Sequence, residues 1–337
     1  MVNILVLGIS GNVSQGILKA LRLSQMSCKI IGACVKLHTA GDLWCDEVYQ
    51  SPYAKDESFI PWLVNICNKE KIDIVLTGVE ENLLAMAGNI EFLHNSCNSI
   101  FIVSDYEKLK IGQDKLLTCK WLEDNGFRCP DYVRSEDCEQ VKDLVKMYGF
   151  PLILKPRHGK GSVGLRLVNN MKDLEECGRS EDCIVQTYIG DKNSEYTVGC
   201  YYDKKGVSRK PIIMHRWLTN GATWRAEIEN NLKIQTTCID ICQKFAPMGP
   251  MNVQLRLDFN GEPVPFELNV RFSGTTPMRA NFGFCDVEAV IREYILSESI
   301  DHCFSLREGE VLRYVNEAYV FYRESGVKVL VDKTMER

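Results

Sequence analysis

The sequence lacks three features that would each indicate a particular class of protein. No apolar run approaches the roughly 20 residues that a membrane-spanning helix needs. Basic residues are not in excess, because 40 Lys and Arg are set against 45 Asp and Glu, which leaves a net charge of −5. There is no internal repeat or low-complexity segment. We therefore expect a globular protein that is neither a membrane protein nor a general nucleic-acid binder.

The start of the chain also lacks the pattern of an export signal. The run MVNILVLG has no basic region before it and stops at Gly8, so it resembles a first strand. The 15 cysteines form no CxxC pair, and scattered cysteines of this kind are typical of reduced, mostly buried thiols. These observations predict a cytoplasmic protein.

The first hundred residues predict a parallel sheet. Short apolar runs alternate with amphipathic stretches, in the order NILVLG, Val13 to Leu23, KIIGACV, Ser58 to Lys69, DIVLTG, Asn82 to Phe92 and SIFIVS. This alternation is typical of a doubly wound α/β sheet, whose ligands bind at the carboxyl ends of the strands. After residue 105 the pattern becomes mixed and mostly antiparallel, so that the expected fold class combines α/β and α+β structure.

The glycines of the first turn suggest one alternative function. Gly8, Gly11 and Gly16 have the spacing GxxGxxxxG, whereas a dinucleotide fingerprint has GxGxxG. The second strand ends in Lys36, with no acid to hold a ribose diol. This pattern disfavours NAD and leaves NADP open, and the glycines could equally form a tight turn that packs a helix on the sheet.

The dipeptide Asn260-Gly261 predicts a β-hairpin with a two-residue turn. Asn-Gly between two alternating runs is the strongest short-range signal for such a turn. A turn of this length pairs Phe259 with Glu262, and this pairing fixes the register of the two strands.

The predicted register gathers polar side chains on one face of this hairpin. It places Gln254 opposite Glu267 and Asn252 opposite Asn269, and the two-residue period of a strand adds Arg256 and Arg271 to the same face. A carboxylate flanked by amide oxygens suits Mg²⁺, and arginines beside it could bind the anion that the metal carries. The alternative is a solvated polar face of an antiparallel sheet.

A phosphate-binding segment is predicted where the strand PLIL ends in Lys155. The turn RHGKGSVG follows, and its spacing is not that of a Walker A motif. Its glycines would let backbone N–H groups approach phosphates, and two side chains add further donors: Gly159, Gly161 and Gly164, with Lys160 and Ser162.

The order of these motifs resembles the ATP-grasp superfamily, most closely its carbamoyl-phosphate-synthetase-like ligases. The matching motifs are DK at 114–115, LKP at 154–156 with the glycine turn, VQTYIG at 185–190, EYTV at 195–198, and NVQL with FELNVRFSG. The resemblance implies a parallel pre-ATP-grasp domain over residues 1–104. A two-lobed ATP-grasp domain with antiparallel sheets would follow, with a small lobe at 105–185 and a large lobe at 186–337.

The resemblance also implies which residues bind ATP. Lys115 and Lys155 would hold its phosphates, and the glycine turn would close over them. The backbone of a hinge would read adenine, and Glu195 would bind the ribose. The hinge residues would be Gln186, Thr187, Tyr188 and Ile189.

Further matched positions imply the metal and the chemistry. Mg²⁺, with Mn²⁺ able to substitute, would be held by Gln254, Glu267 and Asn269. Arg271 would act with Lys155 on the transferred phosphoryl group. Three more arginines are candidates for binding the substrate: Arg216, Arg225 and Arg279.

The implied reaction is an ATP-dependent ligation. A small-molecule carboxylate would take the γ-phosphoryl group to give an acyl phosphate and ADP, and an amine or other nucleophile would then attack. A homodimer is a further expectation. Two alternative functions remain open: an NADP-dependent Rossmann oxidoreductase and a non-catalytic ATP-grasp scaffold that binds nucleotide.

Overall fold

The computed structural model describes residues 1–159, 161, 163–176, 182–322 and 328–331. The chain divides into two compact units. Unit 1 comprises Met1–Tyr106, Arg271–Arg307 and Leu312–Arg337, and unit 2 comprises Glu107–Val270 and Glu308–Val311. The three domains predicted from the sequence stay a prediction, because their internal boundary at residue 185 falls inside unit 2.

Unit 1 begins with a five-stranded parallel sheet. Its strands are β1 (Val2–Leu7), β2 (Cys28–Cys34), β3 (Glu47–Gln50), β4 (Ile74–Thr77) and β5 (Ile100–Phe101). They lie in the order β3-β2-β1-β4-β5, and every neighbouring pair is parallel. All four residues of β4 are buried, as expected for a central strand of a parallel sheet. The predicted parallel sheet is confirmed.

Four helices and a short 3₁₀ turn connect these strands. They are α1 (Asn12–Leu23), the 3₁₀ turn (Ala40–Trp44), α2 (Phe59–Lys69), α3 (Glu80–Ala87) and α4 (Ile90–Ser96). The single helix predicted from Asn82 to Phe92 is wrong, because the chain breaks at Gly88. The amide of Gly88 closes α3 by donating to the carbonyl of Leu84, and a new helix begins after Asn89.

Unit 2 contains a four-stranded antiparallel sheet with helices. The strands are β6 (Tyr132–Arg134), β7 (Leu152–Pro156), β8 (Arg166–Val168) and β9 (Cys183–Thr187), in the order β6-β9-β7-β8. The helices are α5 (Tyr106–Gln113), α6 (Lys115–Asp124), α7 (Cys138–Tyr148) and α8 (Met171–Glu176). Val141 and Leu144 of α7 pack on the apolar side chains of β7 and β9, and this core fixes the strand that ends in Lys155.

The second sheet of unit 2 has six strands. They are β10 (Glu195–Tyr202), β11 (Ile212–Thr219), β12 (Ala222–Glu229), β13 (Gly249–Leu257), β14 (Pro263–Asn269) and β15 (Gly309–Leu312). Their order is β14-β13-β10-β11-β12-β15, and α9 (Leu232–Phe245) connects β12 to β13. The pairs from β10 to β14 are antiparallel. The predicted fold class, a parallel sheet followed by antiparallel sheets, is confirmed.

The hairpin formed by β13 and β14 differs from the prediction at its turn. The amide of Asp258 donates to the carbonyl of Glu262 at 2.9 Å, so the loop between them has three residues. Gly261 takes a φ of 73°, as the last residue of such a loop commonly does. The predicted two-residue turn, with Phe259 facing Glu262, is therefore wrong.

A β-bulge corrects this shift before the polar side chains are reached. Leu255 pairs with Pro265 and Gln254 pairs with Glu267, so Phe266 is the extra residue on β14. Beyond the bulge, Asn252 pairs with Asn269. The predicted pairing of the polar face is confirmed, although the turn that was used to predict it is not the one that forms.

The two-residue Asn-Gly turn occurs at another position. Asn220 and Gly221 have φ values of 50° and 72° and lie between Thr219, the last residue of β11, and Ala222, the first residue of β12, which pair with each other. Positive φ at both central residues is typical of a type I′ turn. The β11–β12 hairpin therefore ends in a tight and well-defined tip.

The rest of unit 1 follows β14. It contains α10 (Thr276–Asn281), α11 (Asp286–Ile291), a π-helical turn (Arg292–Leu296), a 3₁₀ turn (Asp301–Cys303) and a hairpin of β16 (Tyr319–Tyr322) and β17 (Lys328–Val331). Pro277 of α10 lies so close to Gly16 of α1 that a Cβ at Gly16 would stand 2.9 Å from the proline ring. Close packing of two helices therefore explains the glycine at position 16.

In the ranges that the structure describes, no helix is both long and apolar enough to cross a bilayer.

Candidate active site

Both sheets of unit 2 line one cavity. Polar lining residues come from six strands, β7, β9, β10, β11, β13 and β14: Lys155, Gln186, Thr187, Glu195, Arg216, Gln254, Arg256 and Glu267. Apolar walls come from Pro130, Ile153, Val163, Leu165 and Leu218. An apolar cavity with a few convergent polar groups is the usual form of a small-molecule site.

One end of the cavity carries the predicted metal ligands. Oε1 of Glu267 accepts hydrogen bonds from Nε2 of Gln254 and Nδ2 of Asn269, both at 2.9 Å. No hydrogen bond to Oε2 of Glu267 is found in the described part of the chain. The free Oε2 of Glu267 and the side-chain oxygen of Asn269 are hard ligands of the kind that Mg²⁺ takes, whereas Oε1 of Gln254 accepts a hydrogen bond from Arg216.

Lys155 lies on the floor of the cavity at the end of β7. Its side chain is buried, and Nζ stands 5.4 Å from the centre of the Phe266 ring. Burial lowers the pKa of Lys155 to about 8, while the negative charge of Glu267 acts in the opposite direction. A desolvated ammonium of this kind gains much from a bound anion.

Lys115 reaches the same cavity from the first residue of α6. Its Nζ donates to the carbonyl of Gly159 at 3.0 Å, and to the carbonyl of Arg157 at a longer 3.4 Å. Because α5 ends at Gln113, Lys115 is the first residue of its own helix. A helix amino terminus carries a partial positive charge that adds to the ammonium.

The glycine turn covers one side of the cavity. Gly159, Gly161 and Gly164 all have positive φ, which non-glycine residues rarely adopt. The tip of the β11–β12 hairpin touches it, because a Cβ at Gly221 would lie 2.1 Å from the carbonyl oxygen of Gly161. Two predicted donors of this turn lie outside the described residues: Lys160 and Ser162.

The predicted hinge begins with the last two residues of β9 and continues beyond the strand. Gln186, Thr187 and Ile189 line the cavity, and Gln186 is buried with Nε2 donating to Sγ of Cys119 at 2.9 Å. The ring of Tyr188 instead packs against the guanidinium of Arg256. The predicted reading of adenine by this backbone stays a prediction.

Glu195 is held by two arginines. Its Oε1 accepts from Arg216 Nη2 and its Oε2 from Arg256 Nη2, both at 2.8 Å. Burial alone would raise the pKa of Glu195, but the charges and hydrogen bonds of Arg216 and Arg256 outweigh it and lower the pKa. Arg216 also donates to Oε1 of Gln254, so the predicted ribose acid and a predicted metal ligand share one arginine.

Arg225 is not among the residues that line the cavity. It pairs with Glu227 and Glu310 and lies over the ring of Trp217. Its predicted contact with the substrate stays a prediction, whereas Arg216, the first of the three substrate candidates, does line the cavity.

Two predicted residues belong to unit 1. Arg271 pairs with Glu80, the first residue of α3, through Nε and Nη2. Arg279 on α10 is buried beside Asp286, whose pKa burial raises to about 7 while Arg279 acts to lower it. The predicted roles of Arg271 in phosphoryl transfer and of Arg279 in substrate binding stay predictions.

The sequence did not reveal the surroundings of two cavity residues. Arg256 was placed on the polar face of the hairpin, yet its pairing with Glu195 depends on the neighbouring strand β10, which directly opposes it. Phe266 lines the cavity because of the bulge. The Asn-Gly signal could not reveal this bulge, because it sets only the turn.

Comparison with known families agrees with this geometry. Residues 112–275 match the model of a family described as ATP-grasp domain, and this segment contains the strands and the glycine turn that line the cavity. Residues 112–275 therefore form an ATP-grasp domain, as the resemblance of the motifs predicted. The predicted placement in the carbamoyl-phosphate-synthetase-like subgroup is also confirmed.

Individual proteins show where the likeness lies. Carbamoyl phosphate synthase large chain of Sulfolobus acidocaldarius is 25% identical over 244 residues, which cover 66% of this chain and 22% of that protein. N5-carboxyaminoimidazole ribonucleotide synthase of Staphylococcus aureus is 26% identical over 197 residues, which cover 55% of this chain and 48% of that protein. The chain thus spans half or less of the length of these curated relatives.

A solved structure shares the fold. The biotin carboxylase of Campylobacter jejuni, solved as a β-γ-ATP complex, superimposes with a TM-score of 0.71. The match covers 91% of this chain and 74% of that chain, at 19% sequence identity. This similarity establishes the fold, and the chemistry of this chain has to be argued from its own residues.

Proposed function

We propose that this protein is an ATP-dependent ligase that joins a small-molecule carboxylate to an amine or other nucleophile, with release of ADP and phosphate. One observation carries the proposal. Two lysines from separate segments line the same cavity as a carboxylate that is held between amides and keeps one oxygen free. This set of groups suits a magnesium-bound triphosphate.

The lysines supply the positive charge for the phosphates. Both ammonium-bearing residues line the same cavity, and the charge of Lys115 contributes to lowering the pKa of Lys155. Because Lys155 is buried, its interaction with a phosphate is weakly screened by water. We assign both residues to the phosphates and the turn at 159–164 to their cover.

The proposed metal site lies at the β13–β14 end of the cavity. Gln254, Glu267 and Asn269 would hold Mg²⁺, or Mn²⁺ in its place, and the ion would neutralise charge on the phosphates. Glu267 supplies the only anionic oxygen of this set. The predicted catalytic residues are Lys155 and Arg271, the second of which follows Asn269 by two positions.

The proposed chemistry has two steps. An oxygen of the substrate carboxylate attacks the γ-phosphorus, and the bond to the bridging oxygen breaks to give an acyl phosphate and ADP. The nucleophile then attacks the acyl carbon, and inorganic phosphate leaves with the electron pair of the broken bond. Water has to be excluded between the steps, and the contact between the glycine turn and the β11–β12 tip is suited to that role.

The first turn of the parallel sheet offers little support for the NADP alternative. A Cβ at Gly8 would stand 2.3 Å from Cγ2 of Val79, and a Cβ at Gly78 would stand 2.3 Å from Cγ1 of Val13. Close packing between the turns therefore explains these glycines without a bound cofactor.

A screen for phosphate release tests the proposed function. The protein is incubated with MgATP and panels of carboxylic acids, amines and other nucleophiles, and mass spectrometry identifies the products. ADP formation that depends on both a carboxylate and a nucleophile supports the proposal. AMP formation would indicate adenylation and contradict the acyl phosphate, whereas ATP binding without turnover would favour a non-catalytic scaffold.

A further inference from the structure

One carboxylate in unit 2 joins the two segments that carry the cavity lysines. Asp114 precedes α6 and is only 3% exposed. Its Oδ1 accepts a hydrogen bond from the amide of Leu116 at 2.9 Å and so caps the helix that begins with Lys115. The same carboxylate accepts from Nε and Nη2 of Arg157. Arg157 stands two residues after Lys155 and begins the glycine turn.

Hydrogen bonds to backbone carbonyls also join these two segments. The amide of Lys115 donates to the carbonyl of Arg157 at 3.0 Å, and Nζ of Lys115 donates to the carbonyl of Gly159 at the same distance. The amide of Arg157 in turn donates to the carbonyl of Asp182 at 2.6 Å. A shift of Arg157 would therefore move the turn and the partners of Lys115 together.

The ion pair with Asp114 also neutralises the charge of Arg157. Both partners are largely shielded from water, with side-chain exposures of 4% for Asp114 and 20% for Arg157. The charge of Arg157 is thus neutralised by Asp114, and Arg157 does not line the cavity, whereas Lys115 and Lys155 do.

We propose that Asp114 is a positioning residue for nucleotide phosphates. By capping α6 and fixing Arg157, it sets the distance between Lys115 and Lys155 and the start of the turn that covers them. This inference rests on the proposed binding of ATP phosphates by the two lysines. It predicts that the charge of Asp114 matters for the β- and γ-phosphates and not for the rest of the nucleotide.

Another aspartate of unit 2 provides a matched control. The side chain of Asp203 is fully buried, and its Oδ2 accepts from Nε of Arg209 at 2.8 Å. Its Oδ1 accepts from the amides of Lys205 and Val207 at 2.9 Å. Asp203 thus has the same two kinds of partner as Asp114, but it does not line the cavity.

The test uses Asp114→Asn in the full chain. Asparagine caps a helix about as well as aspartate, so this change removes the charge and keeps the cap. Calorimetry measures the affinity for the magnesium complex of the β,γ-imido analogue of ATP, and for AMP. We expect the analogue to bind about tenfold to hundredfold more weakly, because small displacements of positioned groups have effects of this size. AMP affinity should change by less than about twofold.

The control variant is Asp203→Asn, which should lower stability in urea by a similar amount and leave the affinity for the imido analogue unchanged. If Asp114→Asn stays folded and binds the analogue as the parent does, the proposal is overturned. Equal losses for the analogue and AMP would indicate a general structural defect and would overturn it as well. If the parent protein itself does not bind the analogue, the proposed function fails first.

Arg157 supplies the second half of the test. Arg157→Gln should weaken analogue binding by about as much as Asp114→Asn does, and the double variant should be no worse than either single one. A much larger loss for Arg157→Gln would mean that Arg157 binds phosphate directly, which contradicts positioning through Asp114. Arg157→Lys keeps the charge without the second hydrogen bond, and we expect an intermediate loss that remains measurable if other variants fold poorly.

Discussion

The cavity contains two carboxylates on one sheet that differ in their partners. Glu195 on β10 is paired with two arginines, one at each oxygen. Glu267 on β14 accepts hydrogen bonds only from neutral amides among the described residues, and both arrive at Oε1. The first carboxylate is neutralised by its surroundings, whereas the second keeps its negative charge available to a cation.

This difference shows that two carboxylates in one buried polar network can have different roles, one in stabilising the sheet and the other in offering a ligand oxygen. Burying Glu195 without a counter-charge would be strongly unfavourable, and the arginines offset that penalty. The amides that surround Glu267 fix its orientation without neutralising it. The same residue type therefore anchors strands at one position and leaves a ligand oxygen free at the other.

The largest expected effect follows from removing the charge of Glu267. We expect Glu267→Gln to reduce ATP turnover by about a hundredfold or more, because the proposed metal would lose its only anionic ligand. The free energy of unfolding should change by less than about 1 kcal/mol, since a Gln oxygen can accept the same hydrogen bonds. Steady-state phosphate release at saturating MgCl₂ and urea denaturation measure the two quantities. A folded variant with undiminished turnover would exclude the metal role.

At Glu195 we expect the larger effect to be on the free energy of unfolding. Glu195→Gln leaves Arg216 and Arg256 buried without their counter-charge, and we expect it to destabilise the protein by about 3 kcal/mol. Urea denaturation at pH 7 measures this loss. Glu262→Gln is the control, because Glu262 forms an exposed pair with Lys233 and should contribute less than about 1 kcal/mol. Equal, small losses for both variants would show that the Glu195 network is not a structural anchor.

Lys155 allows the comparison to be extended to proton binding. Its pKa of about 8 means that about half of the free protein carries a neutral lysine at pH 8. Phosphate binding favours the ammonium, so the imido analogue of ATP should bind with uptake of about half a proton at this pH. Calorimetry in buffers with different ionisation enthalpies measures the uptake. It should disappear in Lys155→Arg, and an uptake that persists there would assign the proton to another group.

The smallest expected effect is the acid dependence of the Glu195 network. The pKa of Glu195 in the folded protein lies below its ordinary value of 4.5. Its stabilisation is therefore complete above about pH 4.5 and is lost as the pH falls through the lower, folded value. The stability difference between the parent and Glu195→Gln should be constant from pH 7 to 5 and shrink below that. A difference that grows on acidification would contradict the sign of this pKa shift.

The sequence predicted the elements whose pattern is local. The apolar runs of β1 and β4 and the helical periodicity of α1 and α2 appear nearly where they were expected. The short edge strand β3 was not predicted, because its four residues include Glu47 and Gln50 and show no apolar run. Edge strands contribute little apolar area, so their sequences carry a weak signal.

The site was predicted in part, for reasons that the structure makes clear. The pairing of Gln254 with Glu267 was correct because two departures, the longer turn and the bulge, offset each other. The Asn-Gly rule was applied at 260–261, whereas Asn220-Gly221 is where the two-residue turn forms. The residue types at a turn do not indicate whether a strand beyond the turn contains an extra, bulged residue.

The arginine pair around Glu195 could not have been found from spacing. Arg216 lies on β11 and Arg256 on β13, and the two strands meet Glu195 only because β10 lies between them in the sheet. Sequence distance gives no indication of that order. The motif resemblance located each segment, and the sheet topology determined which charges meet.

The extra residue in β14 has a consequence for how this chain can change its length. Phe266 has no pairing partner on β13, so the ladder on the turn side and the ladder on the site side are in register independently. We expect loops of different length that keep Asp258 paired with Glu262 to leave the register of Glu267 unchanged. Laboratory grafting of new segments at this turn would leave the carboxylate and its amide neighbours in place.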